Sequence, residues 1–164
     1  MRIGWLAVLG LLMAASVCLA QSDEYPLPED KSKPVITMQS AGGFRMRPKV
    51  KPEPMLSIFP DGKVVAGRTW DGVGRAEWKI SQKELQALLK FCIKANKMHE
   101  HSTAGIQKAI KDTGKRVMIA DAPSTEIAIN TSDKQNTVSV YALHFAKKQF
   151  SEVKAIGQVA AVEQ

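Results

Sequence analysis

The fold of this chain is decided by residues 81–97, which read SQKELQALLKFCIKANK. Ser81 and Glu84 have the spacing of a capping box, in which the serine oxygen accepts a hydrogen bond from a first-turn amide and the glutamate reaches back to the serine amide. Apolar side chains then recur at helical spacing, at Leu85, Leu88, Leu89, Cys92 and Ile93. The pattern predicts an amphipathic helix over 82–97 with one face turned towards a core.

Sequence on both sides of this helix has the alternation typical of strands. Pro60-Asp61-Gly62 separates two β-rich runs and has the residues of a tight turn, which predicts a hairpin. The predicted strands cover residues 34–39, 55–59, 63–67, 76–80, 124–129 and 137–143. A short helix over 104–111, capped by Thr103, and a last helix from Ala146 are also expected. We therefore predict an α+β fold, with an antiparallel sheet of about five or six strands, the long helix on one face and a helix at the C-terminus.

The N-terminus has the pattern of an export signal. A short positive start and an apolar run precede residues 18–20, Cys-Leu-Ala, which fit the small-x-small rule for signal peptidase. The apolar run is short for a membrane span, which needs about 20 apolar residues. We expect residues 1–20 to be a signal peptide and the protein to be exported, to the periplasm or beyond the cell. The alternatives are an uncleaved membrane anchor over 3–19 and a lipidated Cys18.

The remainder divides into a polar segment and one domain. Residues 21–33 have few groups to bury, which predicts a disordered leader, and residues 34–164 predict a single globular domain. With the signal removed, Cys92 is the remaining cysteine, so no intramolecular disulfide can form. The position of Cys92 in the apolar stripe predicts a buried thiol.

A basic segment is the first candidate for binding. Arg45, Arg47, Lys49 and Lys51 alternate with apolar residues and would line one side of an extended chain. Together with Trp70 in a glycine-rich loop, they suggest contact with an anionic polymer or a protein partner of the envelope, and the net charge of +7 agrees with this. The alternatives are a sheet edge protected by Lys, Arg and Pro, and a tryptophan packed over the sheet rim. Nucleic acid is not expected as a partner, and membrane contact is expected only if the N-terminal segment is retained.

The second candidate is a metal site at His99 and His101. Two imidazoles at this spacing can face the same way in an extended loop, and His144, Asp121 or Glu126 would have to supply a third ligand. The arrangement is not the helical His-Glu-x-x-His motif. A metal-binding protein or metal-dependent enzyme is therefore the alternative function. The sequence has no nucleophile elbow and no phosphate-cradling loop, and no cofactor is expected.

A short resemblance supports the exported setting. Residues 121–125, Asp-Ala-Pro-Ser-Thr, followed by residues 138–143, Val-Ser-Val-Tyr-Ala-Leu, are similar to a pattern in uncharacterised exported bacterial proteins. The resemblance covers one hairpin, implies a bacterial protein, and transfers no activity or functional residue. The function predicted from the sequence is a non-enzymatic binding or interaction module of the bacterial envelope or periplasm.

Overall fold

The computed structural model describes residues 25–43, 53–67, 74–116 and 119–164. Its strands are β1 (Ile36–Gly42), β2 (Leu56–Ile58), β3 (Lys63–Ala66), β4 (Ala76–Lys79), β5 (Pro123–Asn130) and β6 (Gln135–Tyr141). Its helices are α1 (Gln82–Lys90), α2 (Thr103–Asp112), α3 (Leu143–Gln149) and α4 (Lys154–Glu163). The strands form a six-stranded antiparallel sheet in the order β4-β3-β2-β1-β5-β6, which confirms the predicted α+β class.

The turn between β2 and β3 also fixes the end of β4. The Gly62 amide donates to the carbonyl oxygen of Phe59, and the Phe59 amide donates to that of Lys63, as the predicted hairpin requires. Gly62 has a φ of +83°, and a Cβ there would collide with the carbonyl oxygen of Ile80. The Ile80 amide in turn donates to the carbonyl oxygen of Gly62 at 2.9 Å. A glycine is therefore needed both for the turn and for the close approach of the chain beyond β4.

The apolar side chains of the sheet gather on one face. The register places Ile36 opposite both Ile58 and Ile129, and all three side chains are buried. Val138 and Val140 of β6 are buried on the same face. Helix residues complete this core: Leu85, Leu89, Cys92, Ile106, Leu143, Phe150, Ile156 and Val159. The sheet is thus covered by helices on one side, as its alternating sequence requires.

Helix α1 starts as predicted and ends differently. Both bonds of the capping box are present: Ser81 Oγ accepts from the Glu84 amide at 3.2 Å, and the Ser81 amide donates to Glu84 Oε2 at 2.7 Å. The α-helix stops at Lys90 and continues as a π-helical segment, Phe91–Ala95. The prediction of one regular helix over 82–97 was wrong here, because the backbone and side-chain amides of Asn96 both donate to the carbonyl oxygen of Phe91 and widen the last turn.

The predicted single helix from Ala146 is two helices. Helix α3 ends at Gln149, and the Phe150 backbone leaves the helical region while its side chain is fully buried. Lys115 Nζ donates to the carbonyl oxygen of Gln149 and binds Glu152 at 2.6 Å, which places a cation at the end of α3. The break thus coincides with the burial of Phe150 in the core, and the local sequence holds no glycine or proline signal for it.

Helix α2 begins one residue earlier than predicted. Ser102, rather than Thr103, is the N-cap, and its Oγ accepts from the Gly105 amide at 3.0 Å. Thr103 is the first helical residue, which frees its hydroxyl for a contact with β6.

Part of the segment predicted as a disordered leader is ordered. The Tyr25 amide donates to Gln86 Oε1, and the Gln86 side chain donates back to the Tyr25 carbonyl oxygen. Tyr25 and Leu27 pack against the core. From Tyr25 onwards, the segment predicted as a disordered leader over 21–33 therefore contacts α1 and the core through these two side chains.

The predicted signal peptide over 1–20 lies outside the described residues. In the part of the chain that the structure describes, no helix has the length and apolarity needed to cross a bilayer.

Candidate functional site

The basic residues of 45–51 and Trp70 of the glycine-rich loop lie outside the described residues. Arg45, Arg47, Lys49, Lys51 and Trp70 therefore remain sequence predictions.

The two histidines of the candidate metal site contact different elements. His101 Nε2 lies 3.1 Å from the side-chain oxygen of Gln158 on α4. Burial lowers the pKa of His99, and the nearby backbone of Ile129 on β5 acts against this shift. The Nε2 atom of His99 is buried and has no hydrogen-bond partner among the described residues. Asn136 holds the loop between them, because its side-chain amide donates to the carbonyl oxygen of His101 at 2.8 Å. The two rings therefore do not converge on a shared contact, and His101 is held by α4.

The proposed third ligands are engaged elsewhere or contact no histidine of this loop. His144 Nε2 lies 3.5 Å from Glu163 Oε2, and Glu126 accepts a hydrogen bond from Gln39 at 2.6 Å. Asp121 lies on the loop that enters β5. Among the described residues, no group of three His, Cys, Asp or Glu side chains has a metal-binding arrangement.

Cys92 is fully buried, as predicted, and its thiol is free. Desolvation raises the pKa of its thiol to about 12. A thiolate is the reactive form of cysteine, so this side chain is a core residue and is not set up as a nucleophile.

A shallow groove of about 470 Å³ lies between the end of α2 and the start of α4. Its carboxylates are engaged in exposed ion pairs, Asp112 with Lys108 and Glu152 with Lys115. Ser151 and Lys154 beside it have the spacing of a Ser-x-x-Lys nucleophile motif, which sequence reasoning missed. Both residues are exposed, and no hydrogen bond joins them, so the groove lacks the converging polar groups of an active site.

The outer edge of β4 is the remaining candidate. In an antiparallel ladder, alternate residues turn their backbone groups to opposite sides. Since the Ile80 amide bonds to Gly62 of the β3 side, the groups of Trp78 also face β3, and those of Glu77 and Lys79 face outwards. Within the described ranges, no segment hydrogen-bonds to these outward amides and carbonyls.

The side chains of β4 are all exposed. Trp78 lies on the helix-bearing face of the sheet, opposite the buried Val64, yet 49% of it is exposed. Glu77 lies on the other face and forms an ion pair of 2.8 Å with Arg75. An added strand needs a row of free backbone donors and acceptors. The outer edge of β4 has this row, with an aromatic ring on one face and charged side chains on the other.

The opposite edge of the sheet, β6, is covered in part by α2. The outward amide of Ser139 donates to Thr103 Oγ1 at 2.9 Å, so a side chain of α2 takes the place of a neighbouring strand at this position. The outward amide of Thr137 has no partner among the described residues, so β4 differs from β6 in lacking any such bond and in its exposed Trp78.

Sequence reasoning identified β4 as a strand but not as an edge. It assigned edge character to the basic segment instead. The signal that points to β4 is the alternation of Glu77 and Lys79 with Trp78, because charged residues are common on exposed edge strands.

No protein-family model, no curated protein and no solved structure matches this chain. The candidate site therefore rests on the geometry of the chain itself.

Proposed function

We propose that this protein is a non-enzymatic interaction module of the bacterial envelope or periplasm, and that it binds an extended strand of a polypeptide along β4. The observation that carries the proposal is the outward backbone of Glu77 and Lys79, which has no partner in the described part of the chain. Strand addition at a sheet edge gains affinity from main-chain hydrogen bonds and specificity from neighbouring side chains.

Trp78 supports a binding role for this edge. A tryptophan is a costly residue to leave in water, because a large apolar ring gains free energy when it is covered. Its 49% exposure, directly beside the open backbone, gives an added strand an apolar contact on the same element. Tryptophan is also enriched among the residues that dominate binding energies.

The export part of the proposal rests on the sequence. The N-terminal run and the resemblance of the hairpin segments both favour an exported bacterial protein. The non-enzymatic part is favoured by the contact of His101 with Gln158, which does not involve His99, and by the buried thiol of Cys92.

Glu77→Pro tests the proposal. Proline at this position removes an outward amide and leaves the bonds of Trp78 to β3 in place, since the Glu77 amide is not used in the sheet. Thr137→Pro is the matched control, because the Thr137 amide faces outwards on β6 by the same alternation. Both variants should keep the wild-type circular dichroism spectrum.

The measurement is affinity capture from the native envelope fraction, with the tagged protein as bait, an untagged copy present, and quantitative mass spectrometry as readout. The proposal expects at least one partner, an untagged copy included, that Glu77→Pro loses and Thr137→Pro retains. Identical partner sets for both variants would contradict it.

A further inference from the structure

The outer edge of β4 is self-complementary. It combines outward backbone groups on Glu77 and Lys79, side chains of opposite charge on those same residues, and an exposed Trp78 between them. We infer that the strand which β4 binds is β4 of a second copy of this chain, paired antiparallel and centred on Trp78. The inference rests on the proposed function and names its partner.

Hydrogen bonding limits the possible registers. In an antiparallel pair related by a two-fold axis, outward residues of one strand must face outward residues of the other. Three pairings near the middle of β4 satisfy this rule. In the first, Glu77 faces Lys79 of the second copy; in the second it faces Glu77, and in the last it faces Arg75.

Charge separates the three pairings. With Glu77 opposite Glu77, Arg75 also faces Lys79, so each charged residue faces a like charge, which destabilises a ladder. With Glu77 opposite Arg75, each Arg75 replaces its ion pair with Glu77 of its own strand by an ion pair with Glu77 of the second copy. In this register Trp78 faces Gly74. With Glu77 opposite Lys79, two new pairs of opposite charge form.

The pairing of Glu77 with Lys79 also covers the apolar side chains. Trp78 faces Trp78 of the second copy as a non-hydrogen-bonded pair, in which Cα atoms approach to about 4.5 Å. Ala76 then faces Ile80, a partly buried residue at the edge of the core. Aromatic pairs in this position stabilise a sheet, so the apolar face and the charged face favour the same register.

This pairing joins the two six-stranded sheets and stops there. The interface is isologous, because the same surface is used by both copies. The outer edge of each β4 is used up in the pair, so no third copy can add by the same route. A closed dimer, rather than a filament, is the expected product.

Single cysteine substitutions on β4 report the register of the pair directly. Under mild oxidation Trp78→Cys should form an intermolecular disulfide, because facing Cα atoms at about 4.5 Å lie within the range of a disulfide. Glu77→Cys should not, since its two copies are offset by two residues along the strand and lie more than about 7 Å apart. Ala76→Cys reports the register in which Glu77 faces Arg75. All variants carry Cys18→Ser, so the buried Cys92 is the other thiol.

A charge exchange tests the pairing without new thiols. Glu77→Lys alone and Lys79→Glu alone each create two like-charge pairs and should weaken the dimer by about tenfold. The double variant Glu77→Lys/Lys79→Glu should recover association, and Glu29→Lys, an exposed residue far along the chain, should leave it unchanged. Sedimentation equilibrium over a range of protein concentrations measures each dimer constant.

The outcomes separate the inference from the proposed function. A disulfide at position 78 together with recovery by the double variant supports the dimer. Crosslinking at 76 or 77 instead of 78 overturns the register. A monomer at all concentrations overturns the dimer; the proposed function then stands if Glu77→Pro loses a captured partner, and falls with it if Glu77→Pro loses none.

Discussion

The two outer strands of the sheet end it in different ways. β6 is seven residues long, its Val138 and Val140 are buried, and α2 covers part of its outer side through the bond from Ser139 to Thr103. β4 is four residues long and exposed along its whole length. In the described part of the chain, its outward backbone groups have no partner.

The difference divides the molecule into a stabilising side and a binding side. The pairing of β1 with β5 spans seven residues, and that of β3 with β4 spans four. Burial of apolar surface is the main favourable term in folding, so the β5–β6 side contributes most to stability. The short, exposed β4 adds little to stability and is the element available to a partner.

Truncation of one large apolar residue on each side gives the largest expected contrast. Ile129→Ala on β5 removes a fully buried side chain and should lower the free energy of unfolding by about 2–5 kcal/mol. Trp78→Ala removes more atoms but should cost about 1 kcal/mol or less in the monomer, because half the ring is already in water. Urea unfolding at low protein concentration measures both. Equal losses would show that β4 belongs to the core.

The glycine that fixes the end of β4 gives the next effect. Gly62→Ala should cost at least about 1–2 kcal/mol, because the residue has positive φ and a Cβ would meet the carbonyl oxygen of Ile80. Gly74→Ala, on the other side of β4, has open space and is the matched control, with an expected change within about 0.5 kcal/mol. Thermal and urea unfolding of both variants test this. A change in Gly74→Ala as large as that in Gly62→Ala would contradict the assignment.

Opening the covered edge should have a smaller effect. Thr103→Val keeps the shape of the side chain but removes the acceptor of the Ser139 amide, and should cost about 1 kcal/mol. Thr137→Val, on the exposed face of the same strand, should be nearly neutral. If Thr103→Val leaves both the stability and the exchange rate of the Ser139 amide unchanged, α2 is not what closes this edge.

The start of α1, just beyond β4, gives the smallest effect, and it depends on pH. Bonds from the Ser81 amide and hydroxyl lower the pKa of Glu84 in the folded protein. Their stabilising contribution is therefore complete above the unfolded value near 4.5 and is lost as the pH falls through the folded value. Glu84→Gln should reduce this acid dependence in urea unfolding, and Glu29→Gln should retain it. An unchanged slope in Glu84→Gln would mean that the capping box does not form in solution.

Local chemistry made much of the fold predictable. Neighbouring residues specify three features: the turn at Pro60-Asp61-Gly62, the capping box at Ser81, and the apolar stripe that contains the buried Cys92. Each of these predictions was confirmed. The break between α3 and α4 was not predictable in this way, because no glycine or proline marks it and Phe150 at the break packs in a core formed by distant parts of the chain.

The candidate site could be predicted only in part. The alternation over residues 76–80 predicted a strand, but its place at an edge depends on β1 pairing with β5, across a long stretch of chain. The sequence drew attention instead to His99 and His101, but the fold places His101 against Gln158 on α4, while the buried Nε2 of His99 has no partner in the described residues. Edge position is a property of strand order, and strand order is set by contacts that a single sequence does not display.

Residue-resolved amide hydrogen exchange tests the contrast between the two edges most directly. At the lowest protein concentration that allows measurement, the amides of Trp78 and Ile80 should be protected, those of Glu77 and Lys79 should exchange rapidly, and the Ser139 amide should be protected on the other edge. Slow exchange of Glu77 and Lys79 that matches Trp78 under these conditions would show that another part of the chain covers β4, and the account of an open binding edge would be wrong.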